Sequence, residues 1–175
     1  MKKILTLIDV QEKLVPLMTN KDTFINNLII LLKGAQILEI PIIWMEQLPE
    51  KLGATIPEVA KVLKEKTPIV KNVFSCSKSD EYINVLNQLD PDENILCGIE
   101  THVCVYQTAS DLLAKGKNVQ IVADAVTSRK KLNHDIGLQH ISEKGGSLTT
   151  CEQFLFEEQK IAEGDRFKAL IKLIK

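Results

Sequence analysis

The chain has 175 residues, 45% of them hydrophobic and 26% charged, and a formal net charge of -1. That length and balance suit one compact domain over residues 1–175, able to bury a core without disulfides or metal, and exclude disordered and fibrous classes. Interspersed charges of both signs leave no footprint for nucleic acid or an anionic membrane, so the expected partners are a small-molecule substrate and other protein chains.

The opening "MKKILTLID" carries two lysines and a short apolar run that stops at Asp9, with no small-residue cleavage site after it. It reads as the first strand of a cytoplasmic protein rather than a signal peptide, and no later stretch reaches the roughly 18 apolar residues of a membrane span. The continuous run 4–8 fits a strand buried on both faces. From Asp22 as N-cap, Phe24, Leu28, Leu31, Leu32, Ala35 and Leu38 recur at helical spacing until Pro41 stops the helix. "IIWM" (42–45) is a second strand, 46–58 a polar loop punctuated by Pro and Gly, 59–65 a short helix and 68–71 a third strand.

A helix over 78–89, capped by Ser79 or Asp80, leads to a strand at 94–98. A helix over 101–116 ends at Gly116 and is followed by a strand at 118–124, a helix at 132–146 and a short last strand at 147–150. Two C-terminal helices complete the chain, the last reading as a packing or subunit-contact helix with Phe167, Leu170, Ile171 and Ile174 on one face. Such alternation predicts a three-layer αβα, doubly wound, mostly parallel sheet of about six strands, with its site beyond the carboxyl ends of the strands.

Three residues fall at those ends: Asp9 after the first strand, Lys71 after the third and Cys104 in the turn after the fourth. A cysteine at a helix start meets unpaired N–H groups and the positive end of the helix dipole, which favour thiolate, and a nearby lysine adds to this. A carboxylate within reach can take the thiol proton and return it to a leaving group. The tight turn "GIETHVC" offers outward N–H groups of the kind an oxyanion hole needs.

"LIDVQ", "KNVFS", "CGIETHVCVYQTASDLL" and "VQIVADAVTSR", in this order over most of the chain, resemble the isochorismatase-like cysteine hydrolase superfamily. The resemblance implies Asp9 as acid/base, Lys71 as orienting cation and Cys104 as nucleophile, with the N–H groups of Glu100 and Cys104 as the oxyanion hole. It also implies a cis bond between Ile99 and Glu100, no cofactor, and a homo-oligomer. Nicotinamidases of this superfamily carry an Asp/His/His metal site between the second and third strands. Here "WMEQLPEKLGATIPE" has no histidine, so no such metal is expected. That stretch is closer to the isochorismatase-domain-containing proteins. Loops 46–58 and 125–132, with a neighbouring subunit, are expected to set specificity.

Each of these residues also has a plainer reading. A lone buried cysteine is more often a small hydrophobe, a strand-end aspartate a turn former and a lysine a solvated charge; their joint placement argues otherwise. Cys76, Cys97 and Cys151, with no CxxC pair in the chain, read as structural free thiols. His134 and His140 are six apart, off metal-pair spacing, and read as solvated; His102 reads as turned away from the site, and Glu100 as acting through its backbone. Trp44 and Phe74 could line the pocket or the core. A catalytically silent scaffold on the same fold is the competing function, discriminated by Cys104 reactivity. A flavin or nucleotide binder is disfavoured because "DVQEKLVP" contains no glycine.

Overall fold

In the computed structural model, which describes residues 1–175, the first strand divides its side chains between two separate apolar cores. Leu5 and Leu7 enter one, while Ile4 and Ile8 enter the other. This two-sided burial explains the unbroken apolar run of β1 (Lys3–Ile8). The strands β2 (Ile42–Gln47), β3 (Ile69–Lys71), β4 (Glu93–Ile99), β5 (Asn118–Thr127) and β6 (Ser147–Thr149) join it in the order β3-β2-β1-β4-β5-β6. Every strand pair is parallel.

Helices cover both faces. On one, α1 (Lys21–Ile37) packs with the C-terminal helices α7 (Cys151–Gln159) and α8 (Gly164–Ile174). Phe24, Leu28, Leu31, Leu32 and Ala35 are buried there, as their spacing required, together with Phe154 and Leu170. The opposite face carries α4 (Asp80–Leu89), α5 (Tyr106–Ala114) and α6 (Lys131–Glu143), sealed by Tyr82, Leu86, Ala109, Leu112 and Ile141. Two one-turn helices, α2 (Pro49–Leu52) and α3 (Pro57–Ala60), lie between β2 and β3. The α/β doubly wound fold expected from the alternation is the one observed. No helix is long and apolar enough to cross a membrane.

Several boundaries differ from the sequence reading, each for a local reason. Helix α1 starts at Lys21 after Asn20, which takes the left-handed conformation at φ 51°; Asp22 lies inside the first turn and caps nothing. Ser79 does cap α4, accepting from the Tyr82 N–H. Strand β2 continues through Glu46 and Gln47, polar residues that looked like loop but are buried beside the other strand ends. Strand β5 likewise continues to Thr127.

The order places β1 and β4 side by side at the point where the winding reverses. In doubly wound sheets the loops diverge there and leave a crevice beyond the carboxyl ends. Gly98 makes this close pairing possible. It has φ 112°, and a Cβ at that position would overlap the Ile8 carbonyl oxygen and lie 2.7 Å from the Ile8 nitrogen.

Candidate active site

At this reversal point Asp9, Lys71 and Cys104 converge from three separate strand ends. Asp9 follows β1 with φ 55°, a conformation aspartate tolerates better than most residues, so its carboxylate turns back over the sheet. Lys71 is the last residue of β3 and is buried along with Asp9, their side chains 0% and 1% exposed. Its Nζ donates to Asp9 Oδ2 at 2.7 Å and lies 3.8 Å from Cys104 Sγ. Asp9 Oδ1 is buried and has no hydrogen-bond partner. An unsatisfied buried carboxylate oxygen beside a thiol is an acceptor held ready.

Cys104 sits in a turn wound more widely than an α-helix, a π turn over Thr101–Val105, before α5 begins. The Ile99–Glu100 bond is cis, as the resemblance implied. The N–H groups of Val103 and Val105 both donate to the Glu100 carbonyl, at 3.0 and 3.2 Å. Glu100's own N–H bonds to nothing in the protein.

The electrostatics differ from those expected of a cysteine at a helix start. Burial first, and then the Asp9 charge, push the Cys104 thiol up; Lys71 opposes them without prevailing. The resting site therefore holds a protonated thiol beside an ion pair. Burial also raises the Asp9 carboxyl, with the Lys71 charge and hydrogen bond offsetting part of the shift. Burial works against the Lys71 ammonium, but the neighbouring Asp9 charge, joined at high pH by those of the Cys104 and Cys76 thiolates, outweighs it and holds its pKa above the ordinary value.

Two glutamines that drew no notice in the sequence complete this arrangement. Gln47 Oε1 accepts from Lys71 Nζ at 2.6 Å, and Gln11 holds the Gln47 backbone from both sides. Glu46 is buried as well, its Oε1 accepting from the N–H and the hydroxyl of Thr55, both at 2.7 Å. That carboxylate is committed to the loop, and no three His, Cys, Asp or Glu side chains converge as a metal site would require.

The isochorismatase domain family matches residues 3–153. The chain belongs to the isochorismatase family. Isochorismatase domain-containing protein 2 of Danio rerio is 38% identical over 172 residues, covering 98% of this chain and 86% of that protein. Among solved structures, the MAR1 ribonuclease of Caenorhabditis elegans superposes with a TM-score of 0.91 at 36% identity, covering 99% of this chain and 89% of the other. The YcaC gene product of Escherichia coli, described as an octameric hydrolase of unknown specificity, gives 0.93 at 21% identity over 99% and 86% of the two chains. At that identity the likeness speaks for the fold alone.

Around the isochorismatase-type turn the structure revises several residue readings. Glu100 contributes a side chain as well as a backbone: it accepts from the Arg129 N–H at 2.9 Å and from Arg129 Nε at 3.1 Å, fixing loop 128–130 against the turn. His134 is half-buried rather than solvated, its Nδ1 2.9 Å from Thr101 Oγ1. His102 shares a hydrogen bond with Ser128 Oγ at 3.0 Å and faces Asn133, away from the thiol. Trp44 is core, bonded to Thr55, whereas Phe74 is 56% exposed and walls a hollow of about 360 Å³ with Tyr106 and Gln107. Cys104 is not part of that wall. All four cysteines are free and buried, and burial pushes Cys76 up to about 12.

Proposed function

We propose that this protein is a cysteine hydrolase acting on a small amide-like or related substrate through a covalent thioester. The single observation that carries the reading is the meeting of a thiol, a buried ammonium and a carboxylate with one free oxygen at the fold's reversal point. Family membership supports it, because the motif residues quoted for the resemblance are those that meet.

In this scheme Asp9 takes the Cys104 proton as the thiol sulfur attacks the substrate carbonyl carbon. Because the thiol is held protonated at rest, transfer to Asp9 accompanies attack rather than preceding it. The Glu100 and Cys104 N–H groups receive the developing oxyanion. As the tetrahedral intermediate collapses, the carbon–leaving-group bond breaks, and Asp9 returns its proton to the departing nitrogen or oxygen. Water, deprotonated by Asp9, then attacks the thioester, releasing the acid and restoring the thiol. Lys71 keeps Asp9 oriented and offsets negative charge throughout. Nothing in these steps calls on a metal or cofactor.

The ribonuclease name of the C. elegans relative is that protein's, and a net charge of -1 gives this chain no overall attraction to RNA. Self-association belongs to the same proposal, with light scattering expected to give a multiple of the 19.6 kDa chain mass.

The test is to incubate the protein with p-nitrophenyl acetate, quench in acid and locate the acyl group by mass spectrometry. An acetyl group on Cys104, absent from Cys104→Ala and Asp9→Asn, is expected. Acylation spread over surface lysines with none on Cys104 would instead favour the silent scaffold.

A further inference from the structure

Lys71 Nζ has more acceptors than protons. Asp9 Oδ2 lies at 2.7 Å, Gln47 Oε1 at 2.6 Å, the Val73 and Phe74 carbonyls at 3.1 and 3.2 Å, and Cys104 Sγ at 3.8 Å. An ammonium has three donors and cannot accept, so the Gln47 amide must present its oxygen to it. The two shortest bonds take two protons, and the two carbonyls share the third. This leaves the thiol sulfur with charge attraction at 3.8 Å in place of a direct short bond.

Gln47 itself cannot drift. Gln11 Oε1 accepts from the Gln47 N–H at 2.8 Å, while Gln11 Nε2 donates to the Gln47 carbonyl at 2.9 Å and to the Gly53 carbonyl at 2.7 Å. Both glutamines are buried, at 0% and 7% exposure, and the Leu48 N–H donates to the Lys71 carbonyl at 3.0 Å. The loop after β2 and the lysine are thereby tied into one unit. These bonds hold the Gln47 backbone, so its side-chain oxygen meets the ammonium from a fixed position, and the ion pair alone would not fix where along the Asp9 carboxylate the ammonium rests.

We propose that Gln47 is a positioning residue for Lys71, setting where the ammonium stands relative to Cys104, with Gln11 as its anchor to the loop 48–56. The proposal rests on Lys71 being the cation that favours the Cys104 thiolate. A neutral amide suits the task because it accepts without adding charge. A second carboxylate at this position would oppose the thiolate, and an alkyl group would remove one of the two short bonds that hold the ammonium, leaving it free to resettle among the remaining acceptors.

The experiment measures the pH midpoint of Cys104 alkylation by iodoacetamide, by mass spectrometry on the full chain, in the parent, Gln47→Leu, Lys71→Met and the double variant. Gln47→Leu should shift the midpoint by about 0.5 pH unit, as the ammonium resettles, and should add nothing in the Lys71→Met background. Gln47→Glu, of nearly unchanged volume, should raise it through the added negative charge and covers the case in which the leucine variant does not fold. A Lys71→Met shift with no shift in either Gln47 variant would overturn the proposal while leaving the role of the lysine standing. Equal Gln47→Leu shifts with and without Lys71 would also overturn it. No shift in Lys71→Met would overturn both.

Discussion

Two lysine–carboxylate clusters stand at opposite ends of the sheet, and their difference separates chemistry from scaffolding. At the amino end of β1, Lys3 Nζ lies 2.9 Å from both Glu93 and Glu158 and also over the Phe154 ring, with all three charged side chains between 11% and 22% exposed. At the carboxyl end, Lys71 and Asp9 meet at 2.7 Å with essentially no exposure, and one Asp9 oxygen is left unpaired against a thiol. Distances are alike; desolvation and completeness are not. The rim cluster has water and partners for its charges and can be modestly stabilising. The buried pair must overcome a desolvation penalty that hydrophobic residues of similar volume would avoid, which is how a site retained for its reaction looks in energetic terms.

Substitution at each end should bring that contrast out, beginning with the largest effect. Cys104→Ala should lower turnover of any ester or amide substrate by about 10⁴-fold or more while leaving the unfolding transition in urea near that of the parent. Lys71→Met, which strands a buried carboxylate, should cost about 3–5 kcal/mol of stability, and adding Asp9→Asn should recover much of it because the remaining group is neutral. Lys3→Met, read in the same urea titration, should cost about 1 kcal/mol. Equal losses at the two lysines would erase the distinction.

The acid side of the activity profile follows from Asp9. Its carboxyl is raised from 3.8, chiefly by burial, and only the ionised form can take the thiol proton. Turnover should therefore fade on acidification through a pKa above 3.8, a limb measurable in kcat/KM. The smallest effect concerns His134. Burial lowers its folded-state pKa from 6.5, so the unfolded chain binds the proton more readily. Stability should thus decline as the pH falls through 6.5, and His134→Gln should flatten that part of the thermal-unfolding profile.

The sequence made β1, β2 and β4 legible because both faces of each are buried, so their apolar runs stand out with little ambiguity. It also marked Asp9, Lys71 and Cys104, since each closes or follows a strand that alternation predicted. Periodicity is silent about what polar residues do once they are buried. Glu46 and Gln47 read as loop and Gln11 drew no role of its own, because glutamine and glutamate usually seek water, yet here their partners are Lys71, Thr55 and backbone groups from other elements. The same blindness made His134 look solvated and limited Glu100 to its backbone. A closer signal was available in "DVQ" and "EQ": polar side chains directly following two adjacent parallel strands have each other as neighbours. The direction of the Cys104 shift was misjudged because helix-start arguments count dipoles and cations, whereas burial beside Asp9 contributes more.

The claim that Asp9, Lys71 and Cys104 act as one electrostatic unit is tested most directly by comparing the Cys104 alkylation midpoint in the parent, Asp9→Asn and Lys71→Met. The parent midpoint should lie above the ordinary thiol value of about 8.5. Asp9→Asn removes a neighbouring negative charge and should lower it, even though turnover is lost; Lys71→Met removes the cation and should raise it. Midpoints unmoved by both substitutions, or moved in the same direction, would contradict the account.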